Sequence, residues 1–214
     1  MTNRKKLIVS GCSMTHGAEL FHPFMHQKNI ELSYSRYISD LLDCDLINVA
    51  LSGGSNEYIF HSIIEALNKN QNIHSVIVMW TTFGRLYWKN NDRHYFITSN
   101  YASSMLSFNE GMKFETIGNK YKISSDAADM VSKLDSIYKF LITDYFSTTE
   151  ENKKLIHYKT ALTSICATKQ IKIIHLDWSS TEITKSCMMN GKHPTINEHK
   201  EIAKIIYKRY YETF

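Results

Sequence analysis

The sequence predicts a three-layer, doubly wound α/β domain built on a mostly parallel sheet of four to five strands. Three observations predict it. Four short apolar runs, three of them rich in β-branched residues, punctuate the chain at 6–9, 45–49, 76–80 and 171–176; such runs are what a parallel sheet covered on both faces requires. Helical patterns lie between the runs, and strand alternating with helix demands crossovers, which run right-handed. Only 2 prolines and 8 glycines occur in 214 residues, favouring long regular elements over a loop-rich scaffold.

Taken in order, the first run ends at Ser10-Gly11, and a helix over 34–42 follows from Tyr34, Tyr37, Ile38, Leu41 and Leu42 at helical spacing. The second run, 45–49, leads into a helix over 56–68 carried by Ile59, Phe60, Ile63, Ile64 and Leu67. After the third run the rhythm breaks. The segment 82–125 is polar and aromatic, with Tyr87, Trp88, Tyr95, Phe96, Tyr101 and Phe108, and shows no sustained helical period. Long stretches without regular structure are uncommon in compact domains and are often functional. This one is expected to be an elaboration at the strand ends, with short hairpins, serving as a lid or an oligomer contact. Helices over 126–145 and 149–168 come next, with Asp126 and Thr149 as N-caps and Glu150 and Glu151 near the start of the second. A terminal helix covers about 196–211. No repeat or linker interrupts the chain, so 1–214 reads as a single domain with an aromatic-rich insertion at about 82–125.

Composition narrows the function classes. Apolar residues at 43% and charged residues at 21% sit near globular averages and exclude disordered and collagen-like chains. The net charge of +4 gathers at the ends, in Arg4, Lys5 and Lys6 and in Lys200, Lys204, Lys208 and Arg209. Lysines four apart on a helix form a solvated face, and no recognised motif accompanies them, so no nucleic-acid partner is expected. The cysteines, Cys12, Cys44, Cys166 and Cys187, lack paired spacing. No signal peptide and no apolar run of about 18 residues is present, so no membrane partner is expected and the chain reads as cytoplasmic, with reduced thiols. His16, His22, His26, His193 and His199 fit no standard metal spacing, so neither metal nor other cofactor is expected.

In open α/β sheets ligands bind beyond the carboxyl ends of the strands, near the switch in strand order. Four segments therefore carry the functional expectations. After the first strand comes Ser10-Gly11-Cys12-Ser13-Met14-Thr15-His16-Gly17. Gly11 permits a tight turn and Ser13 begins the next helical turn, either as a helix cap or as a nucleophile whose hydroxyl faces the crevice. Thr15 stands where the elbow of α/β-hydrolases has its second glycine, and the pattern is not the dinucleotide fingerprint. After the second strand, Gly53-Gly54 opens a helix at Ser55-Asn56: a backbone N–H donor to anionic oxygen, or a turn with a Ser55 cap. After the third, Trp80 walls a pocket or sits in the core, and Arg85 holds an anionic or hydroxyl group or makes a surface pair. Near the end, His193-Pro194-Thr195 puts an imidazole just before a helix, with Thr195 as its cap.

Together, in this order, the four segments resemble the blocks of the SGNH/GDSL hydrolase superfamily, a flavodoxin-like architecture. The opening Gly11-Cys12-Ser13-Met14-Thr15-His16-Gly17 looks like a small SGNH-like subset from phages and bacteria, with Cys12 where Gly-Asp-Ser has its acid. The resemblance implies Ser13 as nucleophile, His193 as base, and the N–H groups of Gly53 and Ser13 as oxyanion donors. It departs from the family twice. Trp80, Thr81 and Thr82 stand where Gly-x-Asn should complete the oxyanion hole, leaving the Thr82 hydroxyl or the Asn56 amide to serve. Asn190 replaces the acid of Asp-x-x-His, so the expected third member is Asn190, with Asp177 as its substitute. The resemblance implies a serine esterase acting on a small-molecule or carbohydrate ester, such as an O-acetyl group. Acyl transfer on the same fold and a non-catalytic carbohydrate-binding or assembly role are the alternatives.

Overall fold

The computed structural model describes residues 4–18, 20–21, 27–81, 85–90, 93–98, 105–109, 114–117, 148–178, 183 and 193–214. The chain divides into two compact units, Met1–Thr81 with His157–Phe214, and Thr82–Ile156.

The first unit is built on an all-parallel sheet of β1 (Lys6–Ser10), β2 (Asp45–Asn48), β3 (Ile73–Trp80) and β8 (Lys172–Asp177), in the order β2-β1-β3-β8. Its helices are α1 (Ser13–His16), α2 (Gln27–Leu32), α3 (Tyr34–Leu41), α4 (Asn56–Lys69), the C-terminal part of α5 (Thr148–Thr168) and α6 (Ile196–Thr213). Strand alternation sorts the core into two layers. Leu7, Val9, Ile77, Met79, Ile174 and Leu176 join Tyr34 and Ile38 of α3 and Ile202, Ile206 and Tyr210 of α6. Ile8, Ser10, Val78 and Trp80 have the opposite parity. Ser10 Oγ meets Ser62 Oγ of α4 at 2.9 Å, and buried Ile59, Ile63 and Leu162 come from the two helices of that side. Each such side chain taken fully out of water contributes about 1.5–3 kcal/mol. This is the three-layer doubly wound arrangement expected, with four parallel strands. Its switch point lies between β1 and β3, because the chain passes from β1 to β2 on one side and then returns to β3 on the other.

Boundaries shift where polar residues hide a strand or a turn borrows one. β3 starts at Ile73, ahead of its apolar run, since His74 is satisfied by the Tyr210 hydroxyl at 2.9 Å. β8 starts one residue late because the Ile171 N–H closes α5 on the Cys166 carbonyl, at 2.8 Å. Thr149 lies inside the first turn of α5 instead of capping it, and α2 was not anticipated. The helix expected over 126–145 lies outside the described residues.

In the second unit the backbone forms a separate sheet, β4 (Arg85–Asn90), β5 (Arg93–Thr98), β6 (Met105–Asn109) and β7 (Phe114–Ile117), antiparallel and in sequence order. Tyr87 pairs with Phe96, Phe96 with Leu106, and Leu106 with Thr116. This unit therefore holds a meander of four strands within the segment that showed no helical period.

Candidate active site

The site grows out of the first strand. Past Ser10 the chain turns at Gly11, where any Cβ would collide with the Thr15 side chain and press on Met79. Cys12, extended at φ −96° and ψ −156°, is the N-cap of α1, and its carbonyl accepts from the N–H groups of Thr15 and His16, both at 3.0 Å. Ser13 is thus the first residue of a single helical turn, which ends at Gly17 in the left-handed region at φ 80°. Its side chain is buried at 8% exposure.

The second loop is tied to the first. Leu51 N–H donates to the Gly11 carbonyl at 3.1 Å, and Gly54 N–H to the Leu51 carbonyl at 2.9 Å. Gly53 sits in that turn at φ 81°, a conformation favouring glycine. Asn48, closing β2, accepts from Ala50 N–H at 2.8 Å and donates to Ser35 Oγ at 2.7 Å. Ser55 Oγ then caps α4 by accepting from Tyr58 N–H.

The loop after β3 is gripped by Asn56. Its Nδ2 donates to the Thr81 carbonyl at 3.1 Å and its Oδ1 accepts from Thr81 N–H at 2.9 Å. The amide expected as an oxyanion donor thus holds backbone, with one Nδ2 proton remaining.

At the last block, Thr195 and Glu198 form a reciprocal capping box that starts α6. His193, two residues ahead of that cap, is half-buried, and its Nε2 lies 2.9 Å from Ser13 Oγ. The two residues are 180 positions apart in the chain. A hydroxyl hydrogen-bonded to an imidazole is the pairing that general-base activation of a nucleophile requires.

Other sequence candidates fall elsewhere. Trp80 is 1% exposed; its indole N–H donates to His175 Nδ1 at 3.1 Å and its ring stacks on that imidazole, so it lies in the α4–α5 core layer. Asp177 has its carboxylate on Lys159 Nζ, with both oxygens at 3.0 Å. Arg85 opens β4 in the second unit. Thr82, Asn190, His22 and His26 lie outside the described residues. Residues that sequence reasoning missed surround the pair. Tyr34 donates its hydroxyl to Thr15 Oγ1 at 2.9 Å and its N–H to His199 Nδ1 at 3.2 Å. Burial holds His16 and His199 neutral, each lowered to about 4, and pushes the Tyr34 phenol upward.

The fold and these loops define a class: a doubly wound α/β protein with a serine and a histidine in contact beyond the carboxyl ends of its strands. The chain is similar to solved structures of G-D-S-L lipolytic proteins and of carbohydrate esterases. It is 10% identical to a member of the lipolytic protein G-D-S-L family from Veillonella parvula DSM 2008, over 95% of this chain and 97% of that one, with a TM-score of 0.38. It is 11% identical to an acetyl xylan esterase from the rumen bacterium Butyrivibrio proteoclasticus, over 98% of this chain and 64% of that one, with a TM-score of 0.43. No protein-family model matches the chain, and no curated protein does.

Proposed function

We propose that this chain is a serine esterase of the SGNH type. The observation that carries the reading is the 2.9 Å contact between Ser13 Oγ and His193 Nε2. Ser13 Oγ attacks the ester carbonyl carbon as its proton passes to His193 Nε2. The tetrahedral oxyanion collapses, the C–O bond to the alcohol breaks, and the imidazolium returns its proton to the leaving oxygen. A water molecule, deprotonated by the same nitrogen, then attacks the acyl-serine and releases the acid, restoring Ser13.

The oxyanion is received by the N–H groups of Ser13 and Gly53, with Thr82 or the spare Nδ2 proton of Asn56 as third donor; each such donor supplies about 10²–10³ in turnover. Asn190 orients His193. The left-handed Gly53 and the Leu51–Gly11 link support this assignment because they seat the second loop beside the first. The substrate is a short-chain ester, an O-acetyl group on a carbohydrate.

Short-chain p-nitrophenyl esters test the reading. Hydrolysis by the wild type, lost in Ser13→Ala and reduced at least about 10³-fold in His193→Ala, supports it. Equal rates in all three proteins overturn it.

A further inference from the structure

We propose that Tyr34 is a positioning residue that holds the turn bearing Ser13 in register with the start of α6, the helix that follows His193. The inference rests on the reading of Ser13 as nucleophile and deepens it.

Both ends of Tyr34 are engaged, one with the helical turn that carries Ser13 and the other with the helix that follows His193. Its phenol donates to Oγ1 of Thr15, a residue of the same four-residue helix as Ser13. Its backbone N–H donates to Nδ1 of His199, in the first turn of the helix that follows His193. The two rings stack, with centroids 6.0 Å apart and planes inclined by 26°. His199 is fixed in turn by its own N–H, which donates to the Thr195 carbonyl at 2.9 Å.

A lone helical turn has no stability of its own, because nucleation fixes several dihedrals for one hydrogen bond. α1 must therefore be held from outside. The Thr15 hydroxyl is the side-chain handle of that turn, packed where Gly11 leaves room for it. Tyr34 is wholly buried, so its ring is a rigid strut between α1 and α6. Burial keeps the phenol protonated as a donor and the imidazole of His199 neutral, with Nδ1 able to accept. The strut has consequence because a displacement of about 1 Å at reacting groups can cost about 10²-fold in rate.

The experiment measures the rate at which a fluorophosphonate probe labels Ser13 in the full chain, alongside thermal unfolding and ester kinetics. Tyr34→Phe and Thr15→Val should label roughly tenfold more slowly while folded, with kcat lowered and KM unchanged. Thr15→Ser, which keeps the hydroxyl, should label at the wild-type rate. The double variant should be no slower than the slower single one, since both remove the same bond. Folded variants that label within about twofold of wild type, or losses that multiply in the double variant, overturn the proposal. Should Tyr34→Phe fail to fold, the Thr15 pair decides: Val slower than Ser supports the strut, and equal rates overturn it. A wild type that resists the probe overturns the nucleophile reading and this one together. A labelled wild type with equally labelled variants overturns the strut alone.

Discussion

Asn56 and Thr81 are bound to each other twice, amide against backbone, with Nδ2 on the carbonyl at 3.1 Å and Oδ1 on the N–H at 2.9 Å. Both residues are buried. The pair closes the loop after β3 onto the first turn of α4, so one side chain couples two of the loops at the crevice. Asn56→Ala strands a buried donor and a buried acceptor, each costing about 1–3 kcal/mol. Urea denaturation is expected to show a loss of roughly 2 kcal/mol or more. A change below about 0.5 kcal/mol, the range of ordinary surface substitutions, would show that the clamp is not structural.

Acid should weaken the fold through its buried imidazoles. Burial lowers His16 and His199 to about 4, while the unfolded chain titrates near about 6.5. Between those values the unfolded state binds protons that the folded state refuses. Stability is therefore complete above about 6.5 and declines as pH falls toward 4, by on the order of 3 kcal/mol per histidine. His199 also loses its acceptor when Nδ1 is protonated, breaking the bond from Tyr34 N–H. Denaturation midpoints at pH 7 and pH 5 are expected to differ less in His199→Gln than in the wild type. Equal differences would count against this origin.

The carboxyl ends of the strands were legible in the sequence because a parallel sheet exposes its chemistry there and nowhere else. Ser13 and Gly53 could be singled out by following an apolar run to its end, and His193 by its place just before the last helix. Parity explains two placements, that of Trp80, left open between pocket wall and core, and that of Asp177. Along β3, Trp80 shares its side with Val76 and Val78, and along β8 Asp177 shares its side with His175, so both point into the α4–α5 layer. Tyr34 looked like one more apolar position on a helical stripe; that its hydroxyl meets Thr15 is a tertiary fact. The meander was obscured because the sequence between its strands has no Asn-Gly, Asp-Gly or Gly-Gly pair to mark a tight hairpin. Its strands also carry apolar residues at both parities, which erases the alternation.

Asn190 stands where the resemblance places an acid. An amide can orient an imidazole but does not stabilise its cationic form, and in serine-protease triads the exchange of Asp for Asn costs about 10⁴-fold. Under the esterase reading, Asn190→Asp should raise kcat on p-nitrophenyl acetate by at least about tenfold. Steady-state kinetics checks this. An unchanged or lower kcat would show that another group serves His193.

The most direct measurement is the mass of the full chain after treatment with a fluorophosphonate, followed by peptide mapping. One adduct is expected, on the peptide carrying Ser13, absent in Ser13→Ala and formed at least about 10²-fold more slowly in His193→Ala. An unmodified wild type, or an adduct on any other residue, would contradict the assignment of Ser13 as nucleophile.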